Sequence, residues 1–369
     1  MNAEALLEID TVDVDIINYF LSEPEISHSR VARRVNKSQP AVGARIKKLE
    51  AKSLIKSMYG INLSKAGFTI AFISLQAMNP DKIIDEMRRC PFVINALRLI
   101  GQYNVQIWLA ATSIERIENI VEGNIRSVDG ISRVMMQVWI EPIGDLVAPV
   151  NLNMEHHLHL KCGPDCKNLA KDHEFLRGYL DCTAGKNKGG SKDGELLEKQ
   201  FNIDLDDKLI VMKLQDDPSI TFSLIGEQID KSQPAVGARI AKMKKRNFMA
   251  FKRGVNFKTS KDLHLVQVSI AATDSSLLIE SLKKCEYILF GFKTLGEKSL
   301  IAYAGTHSIE HLEMELDKCI RALPSVRALE TSVVVSCMKD LVLPYQPAHE
   351  CFVCNYDKVP ISKGEQAIA

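Results

Sequence analysis

Ten consecutive residues, Lys37 to Ile46, return letter for letter as Lys231 to Ile240, and a chain built this way must fold as two versions of one unit. Elsewhere the copies are only similar. Ile9-Asp10 matches Ile203-Asp204, Pro24 and Ile26 match Pro218 and Ile220, and Gly60 and Asn62 match Gly254 and Asn256. After a one-residue shift Cys90 matches Cys285, Gly101 matches Gly296, and Asp145-Leu146-Val147 matches Asp340-Leu341-Val342. The identical stretch is a polar turn and a helix start, not an apolar scaffold. What the halves share most closely is therefore a surface.

With 369 residues, two units of roughly 190 residues suggest about four compact modules. The formal net charge is only +1, so affinity for nucleic acid has to come from local patches. The acidic start, Met1 to Asp15, has neither the basic residues nor the apolar stretch of a signal peptide, and no apolar run reaches the ~18 residues of a spanning helix. A cytoplasmic protein without a membrane partner is expected. Nine cysteines, several of them single in apolar stretches, argue for reduced thiols over a disulfide framework.

Each unit opens with three helical patterns, in the first copy Asp13 to Leu21, Ser29 to Val35 and Ser38 to Lys52. Ser38 is a natural N-cap, Pro40 falls in the first turn, and Val42, Ile46 and Leu49 form an inward stripe. Gln39, Ala41 and Arg45 are left facing outward. Leu54 to Tyr59, a turn at Gly60 and Ile61 to Leu63 then predict a two-stranded wing. The pattern beyond is strand (68–77), helix (80–89), strands (93–100 and 105–111), helix (114–127) and strand (132–140), the βαββαβ order of a ferredoxin-like domain. The fold class is α+β, with winged helix-turn-helix modules at 1–63 and 196–258 and ferredoxin-like domains at 64–150 and 259–345. A Cys/His-rich segment with a Gly/Lys/Ser tether occupies 151–195, and a Cys-x2-Cys tail 346–369.

On Asp13, Ile16-Ile17, the Ser38-Gln39-Pro40-Ala41-Val42 helix start, Arg45-Ile46, Leu49, Leu54-Ile55 and Gly101, the chain resembles the Lrp/AsnC family of transcriptional regulators, present twice in tandem. The resemblance implies double-stranded DNA bound through the third helix, and sheet domains packed face to face, so that one chain is a pseudo-dimer able to associate further. The expected DNA contacts are Lys37, Ser38, Gln39 and Arg45, repeated as Lys231, Ser232, Gln233 and Arg239, with Arg30, Arg33 and Arg34 added in the first unit and Lys242 in the second. Family members often bind an amino acid near the loop joining the middle strands. Here that loop reads Gly101-Gln102-Tyr103-Asn104 and Gly296-Glu297-Lys298-Ser299, and the reading preferred is a turn glycine with polar neighbours.

The remaining cysteines lie beyond the last strand of each unit. Cys162 and Cys166 follow one sheet domain, Cys351 and Cys354 the other, and each pair presents two thiolates where tetrahedral zinc needs four ligands. One zinc site shared between the halves, a local site from Cys162, Cys166, His173 and Cys182, and a redox switch are all open readings. Cys90, Cys285, Cys319 and Cys337 are expected to be small core residues.

Three function classes compete. The first is a DNA-binding regulator without enzymatic activity or catalytic residues. The second is an enzyme, because siroheme decarboxylases share the two-module architecture. Against it, Val93-Ile94-Asn95-Ala96-Leu97-Arg98 lacks the histidine- and tyrosine-bearing strand expected near a tetrapyrrole. The third is a metal or redox sensor acting through protein contacts.

Overall fold

The computed structural model describes residues 9–63, 65–88, 90–143, 146–150, 152, 202–260, 263–285 and 287–343. Each unit starts with the three expected helices: α1 (Thr11–Ser22), α2 (His28–Arg34) and α3 (Gln39–Ala51) in the first. A capping box closes the start of α1, where the Asp10 side chain accepts from the Asp13 N–H and Asp13 returns the bond. Ser38 caps α3 by accepting from the Ala41 N–H, and Val42, Ile46 and Leu49 are buried beneath it. The first unit continues with β1 (Ile55–Asn62), β2 (Thr69–Ala77), α4 (Pro80–Met87), β3 (Val93–Ile100), β4 (Val105–Ala111), α5 (Ile114–Ile120), β5 (Ile131–Ile143) and the short β6 (Val147–Ala148). The second repeats the order as α6 (Leu205–Asp216), α7 (Phe222–Ile229), α8 (Gln233–Lys245), β7 (Met249–Asn256), β8 (His264–Ala272), α9 (Ser276–Lys284), β9 (Ile288–Thr294), β10 (Leu300–Thr306), α10 (Ile309–Leu316), β11 (Val326–Cys337) and β12 (Val342–Leu343).

Two expectations change here. The wing is not a hairpin turning at Gly60. β1 runs straight through that glycine and pairs antiparallel with β7 of the other unit, from Ile55 opposite Val255 to Ile61 opposite Met249. β6 and β12 flank this pair to give the sheet β12-β7-β1-β6. Glycine is required because a Cβ at Gly60 would lie 2.9 Å from the Ala148 backbone, and one at Gly254 2.4 Å from the Leu343 carbonyl oxygen. The positions serve close approach of a third strand, not a turn.

The second change concerns the sheet domains. Within each half the strands lie in the order β3-β4-β2-β5 and β9-β10-β8-β11, but these are not two separate ferredoxin-like units. β5 pairs with β9 and β11 with β3, closing all eight strands into one barrel. Closure removes four sheet edges that would otherwise expose unpaired N–H and C=O groups. The core crosses the junction: Phe72 of the first half packs on Phe292 of the second with ring centroids 4.9 Å apart, and Trp108 meets Tyr303 at 5.4 Å. The buried Tyr303 hydroxyl donates to Gln106 of the other half, whose side-chain oxygen also accepts from the Trp108 indole N–H at 3.0 Å.

Candidate nucleic-acid interface and wing-barrel cavity

The N-terminal turn of α3 puts Lys37, Ser38, Gln39, Pro40 and Ala41 on the surface, and α8 does the same with Lys231 to Pro234. Among the described residues the side chains of Gln39 and Gln233 have no partner, and those of Lys37 and Arg33 are likewise unpaired and exposed. These side chains sit beside a helix N-terminus, where unsatisfied N–H groups and the helix dipole favour anions. Ser38 and Ser232 are occupied as caps, accepting from Ala41 N–H at 3.3 Å and Ala235 N–H at 3.4 Å. Arg30 and Arg34 both hold Glu23, at 3.1 and 2.5 Å, and Arg34 also lies 5.0 Å from the Tyr19 ring centre. Lys231 approaches Asp206 at 3.6 Å, and Lys242 donates to the Asn202 carbonyl at 3.4 Å.

Arg45 and Arg239 are placed differently from the sequence reading. Arg45 bonds Asp10 at 2.6 Å and Asp13 at 2.9 Å; Arg239 reaches Asp204 at 2.8 Å, Asp207 at 2.8 Å and Asp206 at 3.2 Å. Both guanidiniums have their pKa raised, chiefly by the hydrogen bonds they donate to Asp13 and Asp207. Burial works to raise the Asp10 and Asp204 carboxyls, yet the capping N–H and the arginine together hold each below its ordinary value. This clamp locks the third helix onto the first. The signal for it was present in the sequence, as an Asp-x-x-Asp pair followed at the same interval by the arginine in both units.

The two heads are joined to each other as well. α1 packs on β7 and α6 on β1. Lys244 pairs with Glu25, and Arg253 donates to Ser57 at 2.9 Å, approaches Glu50 at 3.4 Å and stacks over Phe20 at 4.2 Å. The loop expected near a family effector is used internally: Asn104 exchanges hydrogen bonds with the Ala77 N–H and C=O at 2.9 and 2.8 Å.

Between the wing sheet and the barrel lies a cavity of about 90 Å3. Met58 and Lys252, which face each other across β1 and β7, form part of its wall together with Ile94, Trp108, Ala148 and Phe290. A neighbouring cavity of about 410 Å3 shares Met58, Pro149, Asp340 and Val342 with it. Asp340 is held below the ordinary carboxyl range against burial by Lys56 and Asn256, and burial lowers the pKa of Lys339. Among the described residues no histidine lines either cavity.

Cys162, Cys166, Cys351 and Cys354, with His173, Cys182 and His349, lie outside the described residues. Among the described residues no group of three or more His, Cys, Asp or Glu is placed to hold a metal, and no helix is long and apolar enough to cross a membrane. Cys285 and Cys337 are buried, and Cys90 and Cys319 partly so.

Residues 9–56 match the family model described as winged helix-turn-helix DNA-binding. An uncharacterized HTH-type transcriptional regulator of Pyrococcus horikoshii is 26% identical over 130 residues, covering 34% of this chain and 82% of that relative. The HTH-type transcriptional regulator LrpA of the same organism is 23% identical over 139 residues, 37% of this chain and 99% of LrpA. Among solved structures, the siroheme decarboxylase NirDL covers 90% of this chain and 94% of its own at 11% identity, with a TM-score of 0.48. E. coli AsnC covers 36% and 93% at 16% identity, with a TM-score of 0.32. The chain thus carries an N-terminal winged helix-turn-helix and is similar over about a third of its length to Lrp/AsnC-type regulators. The expectation that it is not an enzyme is corrected by the neighbour that spans both halves, which is a decarboxylase.

Proposed function

We propose that the chain binds double-stranded DNA through α3 and α8, as a regulator whose two reading heads are joined in one body. The observation that carries this reading is the exposed face Lys37, Gln39, Ala41 and Ala44, repeated as Lys231, Gln233 and Ala238 with Ala235 half-buried among them. The interior has diverged where this face has not, as Trp108 against Tyr303 shows. Gln39 and Gln233 are suited to base edges, Lys37 and Lys231 to phosphates, and the surface pairs of Arg30 and Arg34 with Glu23 are weak enough to exchange for phosphate. Arg45 and Arg239 hold the helices in place rather than read bases. Selection of DNA from a random pool tests this: wild type should enrich a two-part site, and the double variant Gln39→Ala, Gln233→Ala should lose about 1–3 kcal/mol per base contact made. Absence of any enriched sequence would end the proposal.

A second reading, decarboxylation of a carboxylate-bearing ring compound, is favoured by the wing-barrel cavity, where aromatic walls and a lysine meet. Incubation with siroheme and measurement of released CO2 tests it; no turnover would remove it. We also retain zinc at Cys162, Cys166, Cys351 and Cys354 as a proposal. Loss of about one zinc in each of Cys162→Ser and Cys351→Ser supports a site shared between the halves, while retention in Cys351→Ser alone supports the local one. Self-association is proposed through the outer barrel face, where Met136, Ile140 and Val335 are exposed.

A further inference from the structure

We infer that the cavity between the wing sheet and the barrel binds a small aromatic monocarboxylate, with its ring against Trp108 and Phe290 and its carboxylate on Lys252. The inference deepens the second reading by naming the ligand class, and it concerns binding alone.

The cavity is lined by apolar side chains from both halves: Leu21, Ile94 and Leu146 from one, Leu341 and Leu343 from the other. Trp108 and Phe290 meet edge to face in its wall at 5.9 Å, an arrangement that offers a third ring both an edge and a face. Strand alternation sets which charges look inward. Met58 and Lys252 lie on the side of β1 and β7 that also carries Lys56, which pairs with Asp340 beside the barrel. Ser57 and Arg253 lie on the opposite face of the strands; Arg253 contributes to the cavity lining, but its guanidinium is engaged by Glu50 and stacks over Phe20.

The charges that line the cavity are therefore balanced except one. Asp340 is matched by Lys56 and Asn256, and Arg253 by Glu50. Lys252 is half-buried and, among the described residues, has no hydrogen bond or ion pair. It also breaks the internal symmetry, since the residue opposite it, Met58, is its counterpart in the other unit. One unmatched cation among apolar walls selects a single negative charge. A dianionic phosphate would bring a charge left without compensation in a poorly solvated space, and a neutral ring would leave Lys252 as it is.

The test uses phenylacetate and its uncharged isostere phenylacetamide, followed by calorimetry and by tryptophan emission, which reports from Trp108 and Trp139. Wild type should bind phenylacetate at least tenfold more tightly than phenylacetamide, with a change in emission. Lys252→Met, which copies the residue already present at Met58, should remove that preference, and Lys252→Gln should do the same if the methionine variant folds poorly. Binding of neither compound to wild type, or a preference that survives both substitutions, would overturn the inference. Because no turnover is measured, failure of decarboxylation leaves this result standing.

Discussion

Arg239 sits among three carboxylates, one of which, Asp207, is almost completely buried at 2% side-chain exposure. Removing the guanidinium takes away that charge's cationic partner and leaves it, among the described residues, the Asp204 N–H alone, so Arg239→Ala should cost about 2–3 kcal/mol in a denaturant melt, while Gln233→Ala on the same helix leaves stability unchanged. The clamp also sets an acid limit. Asp10 and Asp204 titrate below their ordinary value in the folded chain, so their contribution is complete above the unfolded carboxyl pKa and is lost as pH falls through the lowered folded one. Unfolding of the heads should therefore become easier roughly below pH 4, and Arg45→Ala together with Arg239→Ala should flatten that dependence. Cys337 behaves oppositely: burial pushes its thiol up to about 11, and it should resist alkylation at neutral pH until the barrel opens.

At the scale of elements, the three helices of each head were legible because caps, an inward stripe and a proline in the first turn all agree locally. The strands were legible for the same reason, with β2, β3 and β4 falling where β-branched and apolar residues cluster. What local sequence did not disclose is who pairs with whom. Gly60 carries the composition of a turn, yet it stands opposite Ala250 of β7, nearly two hundred residues away, and the residues after it, Ile61 and Asn62, pair with β6, a two-residue strand too short to carry a pattern. Gly254→Ala tests this account of the glycines. Its Cβ would press on backbone, the Leu343 carbonyl, so β12 must shift, at a cost of about 1–3 kcal/mol and with faster amide exchange at Val342 and Leu343. The candidate site was legible to the same degree. Gln39 and Lys37 stand exposed as a capped helix start requires, whereas the outward-facing Arg45 proved to belong to a clamp, because its partners lie 32 and 35 residues earlier in the chain.

For the whole molecule, the decisive feature is that neither half owns a complete sheet. β5 ends its pairing on β9 and β11 on β3, and Tyr303 finds its buried hydrogen-bond acceptor, Gln106, in the other half. Residues 1–195 and 196–369 made separately should be poorly soluble or strongly associating, and should assemble when mixed. Barrel closure was not legible in the sequence, since a repeat announces two similar units but not whether they stand side by side or share strands. The shared barrel fixes both heads to one body, so the spacing of α3 and α8 belongs to the single chain rather than to an equilibrium between subunits. The most direct measurement of that claim is the footprint and stoichiometry of one chain on DNA selected by the wild type, compared with Gln39→Ala, Gln233→Ala and the double variant. The account predicts one chain covering two half-sites, each single variant losing contact at one of them and the double variant at both. Binding that is independent of sequence, or unchanged in the double variant, would contradict it.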